Sequence, residues 1–284
     1  MPTASLGATE VTTTVPPFRT PSKAWATIQG DTAVTGFGAG AAGSRSASMT
    51  AGAINQTAGE LRQRITAIAA HRLEAAPDDI ELAASRAYVR GTPSVSLTLA
   101  EIANLAYFEP GSLPPGVPAG LEASSRYTAE SRSILVNATH ACTCEVDVDT
   151  GRVRLLGYVV SEDCGPMINP NVVEGQIAGG TIQGMAGVLY EHLVYDDDGN
   201  PRNASFAEYL VPSAAEVPSL TYGHVETPGP GPGGYKGVGE GGAIGAPPAV
   251  ANAVADALAP LGVEVTGLPL GPADIVALVR QASR

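Results

Sequence analysis

The stretch Gly233-Gly234-Tyr235-Lys236-Gly237-Val238-Gly239-Glu240-Gly241-Gly242-Ala243-Ile244-Gly245 sets one carboxylate in a run of glycines, ahead of a helix expected to open at Pro247-Pro248. Glycine-dense backbone approaches an anionic group closely, and the free N–H groups of a helix's first turn point outward. Glu240 is therefore either an offset to the positive helix end, worth about 0.3–1 kcal/mol, or a catalytic base on a cofactor-side loop. A third reading takes Gly237, Gly239 and Gly242 as G-x-G-x-x-G, with Glu264 about 20 residues on as a ribose-binding acid. That fingerprint must follow a buried strand. Thr227-Pro228-Gly229-Pro230-Gly231-Pro232 precedes it instead and cannot donate regularly to a ladder, so a nicotinamide-binding protein is the weaker alternative.

On the carboxy-terminal side, Val250, Val254, Leu258 and Leu261 share one apolar helical face, a rigid element against which the Glu240 loop can be fixed. A last short helix is expected from Pro272, with Asp274 in its first turn and Ile275 and Val279 buried. On the amino-terminal side, Asn169 is a good N-cap and Pro170 a good first residue for a helix reaching towards Leu189. Its glycines, Gly175, Gly179, Gly180, Gly184 and Gly187, each cost about 1 kcal/mol relative to Ala unless something approaches closely. Earlier still, Cys144, Val146 and Val148 alternate with acids and Thr143, Asp149-Thr150-Gly151 supplies a turn, and Val153 and Leu155 resume the alternation: a hairpin.

The first organised unit begins near Trp25. A glycine-rich loop through Gly36, Gly38 and Gly40 leads to Ile54, Ala58, Leu61, Ile65 and Ile68, spaced for a helix that Pro77 closes. Ile80 to Leu82 and Ala87 to Arg90 read as short strands, and Val95 to Leu105 as strand passing into helix. Four segments result: an atypical amino-terminal segment 1–26, a first α/β subdomain 27–110, a Pro/Gly-rich linker 111–126 and a second subdomain 127–284. The order of elements gives an α+β fold, mixed sheets with packed helices.

The chain has 284 residues, 44% of them hydrophobic, with no apolar run near the ~18 residues of a membrane span and no signal segment. Cytoplasm is the expected location. A net charge of −12 with scattered basic residues argues against nucleic-acid binding. Three cysteines make no disulfide framework, and Cys142-Thr143-Cys144 lacks the C-x-x-C spacing of zinc or iron–sulfur ligation. His71, His140, His192 and His224 show no metal-ligand spacing, and no metal ligand is assigned. Cys164 reads as small packing volume. Gly43-Ser44-Arg45-Ser46 ends a glycine-rich loop before a helix, where backbone donors, hydroxyls and a guanidinium could hold phosphate; ordinary capping by Ser46 or Ser48 is the competing reading.

Lys236-Gly237-Val238-Gly239-Glu240, Ile244-Gly245-Ala246-Pro247 and Asn252 to Leu258 together resemble the carboxy-terminal signature of molybdenum hydroxylase large subunits, the family of xanthine dehydrogenase, aldehyde oxidase and aerobic carbon monoxide dehydrogenase. Further blocks match in the same order from about residue 27. They are Gly30-Asp31-Thr32; Gly43 to Ser46; Glu145-Val146-Asp147 with Thr150-Gly151; Asp163-Cys164-Gly165 with Ile168-Asn169-Pro170; Gly175-Gln176 with Gln183-Gly184; Tyr209 to Pro212; and Leu268-Pro269. Residues 1–23 do not resemble the Gly-Gln-Gly-His-type cofactor segment that usually precedes these blocks.

The resemblance implies the second molybdenum-cofactor-binding domain of such a subunit. It implies a molybdopterin cofactor, in cytosine dinucleotide form, shared with a missing amino-terminal half of the large subunit. Gly43, Ser44, Arg45, Lys236, Gly237, Val238 and Gly239 are the implied cofactor contacts, and Glu240 the base in hydroxylation of an aldehyde or N-heterocycle carbon by water-derived oxygen. An iron–sulfur subunit and an FAD subunit are the implied partners, neither centre being expected on this chain, and the chain is expected to be inactive alone. A non-catalytic, truncated cofactor-holding or assembly module is the alternative.

Overall fold

The computed structural model describes residues 9–14, 26–28, 31–33, 40–129 and 136–284. The expectations resting on Trp25, Gly30, Gly36 and Gly38 lie outside them. The chain divides into two units, residues 1–40 with 46–132, and residues 41–45 with 133–284.

In the first unit, strand β1 (Thr9–Thr14) lies between β2 (Ala26–Ile28) and a later strand, β6 (Glu122–Tyr127), antiparallel to both. Residues 122–126, read from sequence as linker, are thus sheet. Helix α1 (Ser46–Arg72) buries Met49, Ala53, Leu61, Ile65 and Ile68. Ile54, expected on that face, is exposed, because Ala53 and Thr57 take the inward positions. A short 3-10 turn at Pro77–Asp79 leads into the antiparallel meander β3 (Ile80–Ala83), β4 (Arg86–Val89) and β5 (Thr92–Thr98). Helix α2 (Leu99–Phe108) follows at once. Thr98 caps it, accepting from the Glu101 N–H while the Glu101 carboxylate accepts from the Thr98 N–H. Such a reciprocal cap satisfies two first-turn donors. Leu61, Ile65, Ile102, Ala106 and Leu121 pack into this unit's core.

The second unit is built on the expected hairpin, β7 (Asn137–Val146) and β8 (Val153–Asp163), antiparallel, with Gly151 at φ 74° in the turn. β9 (Leu220–His224) adds parallel to β8. Helix α3 (Pro170–Leu189) starts where Asn169 and Pro170 place it, the Asn169 side chain accepting from the Asn171 and Val172 N–H groups. Helix α4 (Gly241–Leu258) departs from expectation by starting six residues before Pro247 and carrying Pro247 and Pro248 inside. An interior proline normally costs about 3 kcal/mol, and tertiary contact offsets it here. A Cβ on Gly184 of α3 would stand 2.9 Å from Pro247 Cδ, so that glycine makes room for the ring. Gly180 and Gly242 bring the two backbones together in the same way. Val250, Val254 and Leu258 are fully buried, whereas Leu261 lies in the 3-10 turn Ala259–Leu261 after the helix and is exposed. Helix α5 (Pro272–Ala282) buries Ile275, and the Gly271 N–H donates to the Asp274 carboxylate, which supplies the cap that glycine lacks.

Candidate functional site

The Glu240 loop is irregular at Gly237 and Gly239, and Gly241 and Gly242 open helix α4. β9 ends at His224, and the described residues between it and Gly237 form only the short turn Pro232–Gly234. No strand among the described residues runs directly into Gly237, so the structural context of a dinucleotide fingerprint is missing.

The loop is anchored from beneath. Asp163, at the end of β8, accepts from Lys236 Nζ at 2.9 Å, from the Gly165 N–H at 3.0 Å and from the Thr227 N–H at 3.1 Å. Both charged side chains of this pair are buried. Burial alone would raise the Asp163 carboxyl, but the Lys236 ammonium and the two N–H donors outweigh it and hold it well below the usual carboxylate range. The Lys236 N–H donates to the Cys164 carbonyl at 2.9 Å, and the Gly229 N–H to the Gly234 carbonyl at 2.8 Å. The Lys236 ammonium, one of the expected cofactor contacts, is therefore directed to Asp163. Val238 packs against the core of the second unit.

Above that anchor, residues 41–45 meet Glu240. The Gly43 N–H donates to Glu240 Oε1 at 3.1 Å, and the Glu240 N–H donates to Ser44 Oγ at 2.9 Å. One contact fixes the carboxylate and the other its backbone. Ser44 adopts φ 55°, a left-handed conformation uncommon for a residue with a side chain and concentrated at functional sites. Gly237 is buried, and a Cβ there would collide with the Ser44 carbonyl. Gly239 is exposed; a Cβ there would stand 3.6 Å from both Ser44 Oγ and Gln176 Nε2. Gly43, Ser44, Gly237, Gly239 and Glu240 are thus brought together, with half-buried Arg45 next in the chain. Gln176, four residues before α3's close glycine contacts begin at Gly180, belongs to this lip although only its membership of a matching sequence block marked it.

Sequence reasoning missed Glu162. It is buried to 1% exposure beside Asp163, and its carboxyl lies against Gly241 at the start of α4. Burial pushes it up to about 7. The same cause lowers His140, whose Nδ1 shares a hydrogen bond of 2.9 Å with the Tyr158 hydroxyl. Burial also raises the Cys164 thiol, with the Glu162 charge adding to it, which suits packing better than ligation. Among the described residues no cluster of His, Cys, Asp or Glu could hold a metal ion, and no helix is long and apolar enough to cross a membrane.

A close-packed glycine loop, the Ser44 hydroxyl and a fixed carboxylate meet at one lip, a surface with little side-chain bulk that a polar ligand can approach closely. Residues 19–218 match the family model of the molybdopterin cofactor-binding domain. The chain belongs to this family, the molybdopterin-binding oxidoreductases of the molybdenum hydroxylase class, and its mixed helices and sheets are the fold of their large subunits. It is 39% identical to the nicotine 6-hydroxylase large subunit of Paenarthrobacter nicotinovorans, over 84% of this chain and 29% of that protein. It is 35% identical to the carbon monoxide dehydrogenase large chain of Afipia carboxidovorans, over 81% of this chain and 28% of that one. Quinoline 2-oxidoreductase from Pseudomonas putida 86 superposes with a TM-score of 0.84 at 33% identity, covering 96% of this chain and 38% of that one. The chain therefore spans less than a third of the length of these two curated relatives, which fits the carboxy-terminal portion implied by its motifs.

The donor set fits a molybdopterin. Gly43, Ser44 and Gly239 stand at the lip with little side-chain bulk, Gly237 packs beneath Ser44 so that the two loops lie close, and the buried Asp163–Lys236 pair holds the Glu240 loop in place.

Proposed function

We propose that this chain is the cofactor-binding portion of a molybdenum hydroxylase that adds water-derived oxygen to a carbon of an aldehyde or N-heterocycle, with Glu240 as general base. The observation that supports it is the double hold on Glu240, its carboxylate by the Gly43 N–H and its backbone by Ser44 Oγ. A base must be fixed before it can take a proton efficiently, and this one is held at an exposed lip. The molybdopterin, in cytosine dinucleotide form, supplies the redox chemistry when bound. Gly43, Ser44, Arg45, Lys236, Gly237, Val238 and Gly239 bind and orient it, Lys236 by holding the loop on Asp163. Of the two expected subdomains, 27–110 and 127–284, the second works with Gly43, Ser44 and Arg45 of the Gly-Ser-Arg-Ser loop, which pack with it beside the Lys-Gly-Val-Gly-Glu loop.

The limited span of the relatives covered supports a requirement for the amino-terminal half of the large subunit. Iron–sulfur and FAD subunits complete the assembly, which works in the cytoplasm; relatives carrying the names large subunit, large chain and complex subunit gamma support a multi-subunit enzyme.

Glu240→Gln tests the reading. Gln keeps the shape and still accepts from the Gly43 N–H but takes no proton. In complexes matched for molybdenum content, single-turnover reduction by substrate should slow by about 10²–10⁴. Near-equal rates would return Glu240 to the role of helix-end charge.

A further inference from the structure

Among the described residues, four buried side-chain polar atoms have no hydrogen-bond partner: His140 Nε2, Glu162 Oε1 and Oε2, and Thr181 Oγ1. They belong to one region. A Cβ on Gly241 would collide with Glu162 Oε1 and stand 3.0 Å from its carboxyl carbon; one on Gly242 would stand 2.9 Å from the Thr181 N; one on Gly245 would run into the His140 ring. Gly241 and Gly245 lie one helical turn apart on α4 and face the β7–β8 hairpin. There His140 pairs with Val160 and Ala138 with Glu162, so the His140 and Glu162 side chains are diagonal neighbours on one face. Isolated buried polar atoms are rare in native proteins, and a cluster under one helix start calls for a reason.

We infer that Glu162 is a positioning residue for Glu240: an internal carboxylic acid that exchanges its proton with solvent and, through Gly241, sets where the Glu240 carboxylate stands. The inference rests on the reading of Glu240 as the base. A neutral carboxyl suits the apolar surroundings of Glu162, whereas the carboxylate is drawn towards the free N–H groups of the first turn of α4. Because Gly241 has no side chain, the carboxyl touches the backbone one residue from Glu240, and movement there is transmitted directly. The position of its titration, raised by burial, puts the exchange at neutral pH.

The titratable and charged groups around Glu162 are accounted for. Asp163 and Lys236 neutralise each other in their ion pair. His140, on β7, has its proton affinity reduced by burial, and Cys164 is held as a thiol by burial. His224, the β9 partner of Glu162 in the ladder, stands 4.0 Å from Glu174 of α3. Thr181 contributes only a hydroxyl, and Glu240 itself closes the set.

The test is a pH titration followed by NMR on the chain with 13C-labelled glutamate and 15N-labelled backbone. The Glu162 carboxyl resonance, assigned by correlation to its own backbone, should titrate with a midpoint near 7. The amide resonances of Glu240, Gly241 and Gly242 should move with that same midpoint, and Glu162→Gln should abolish their movement. A Glu162 midpoint in the ordinary carboxylate range, or stationary Glu240 and Gly241 amides between pH 5 and 9, would overturn the inference. The wild-type spectra alone decide these points, so a variant that fails to fold leaves the test intact. The spectra need no cofactor, and their failure leaves the single-turnover result for Glu240→Gln standing; equal turnover in that variant would sink the function while leaving the titration valid.

Discussion

At the scale of single residues, two adjacent acids on β8 have opposite fates. Asp163 is given an ammonium and two N–H groups, and Glu162 is given none. Their effects on stability against pH follow with opposite signs. The folded Asp163 binds its proton more weakly than an unfolded aspartate, so its contribution is present above about pH 4 and is lost as pH falls below that. The folded Glu162 binds its proton more tightly, with 4.5 displaced to about 7, so stability is lost as pH rises across that interval and then levels off. The loss amounts to about 3 kcal/mol. Thermal unfolding from pH 3 to 8 should therefore show a maximum near pH 4–5, with the neutral-side decline removed by Glu162→Gln; an unchanged decline in that variant would place its cause elsewhere. Asp163→Asn strands the Lys236 ammonium in a buried site and should cost about 3–5 kcal/mol in denaturant unfolding. The sequence marks Asp163 only within the Asp163-Cys164-Gly165 block and Glu162 not at all, because both fates depend on partners distant in the chain.

Among the elements, α3 and α4 form the seam that carries the site, and the glycines of α3 divide into two kinds. Gly180 and Gly184 meet α4 backbone and Pro247, whereas a Cβ on Gly175, Gly179 or Gly187 would meet nothing within 4 Å. Gly184→Ala should destabilise the chain by about 1–3 kcal/mol through overpacking, while Gly179→Ala should stabilise it by up to about 1 kcal/mol. Chemical denaturation of both variants checks the contrast, and equal effects would refute the close packing. Much of this level could be read beforehand. Asn169 and Pro170 fix the start of α3 by local chemistry, and strict alternation around Asp149-Thr150-Gly151 marks the hairpin. The start of α4 could not be, because Gly241 and Gly242 disfavour helix on their own and Pro247 is a better first residue than a seventh. Only the α3 glycine face explains the difference, and no local window contains it.

For the whole molecule, the cofactor cradle here is that of a chain spanning less than a third of the two curated relatives compared. Ligand sites commonly enclose most of their ligand's surface. The purified chain alone should therefore retain little molybdopterin, and co-expression with the remainder of a large subunit should restore it. Molybdenum analysis and pterin fluorescence on both preparations decide this; stoichiometric molybdenum in active chain alone would overturn it. The Glu240 motif was legible in sequence because glycine spacing is local, yet its partners were not: Ser44 and Gly43 are joined to Glu240 only by the folded chain.

That junction has a history in time as well as a place. The hydrogen bond from Glu240 to Ser44 joins residues 196 positions apart, and a ribosome adding roughly 5–20 residues per second would need roughly 10–40 s to travel between them. Ser44 thus waits in a nascent chain without its partner while helix α1, the β3–β5 meander and the β7–β8 hairpin are made. The lip closes only once Glu240 has been added, long after the Gly43-Ser44-Arg45-Ser46 loop that completes it.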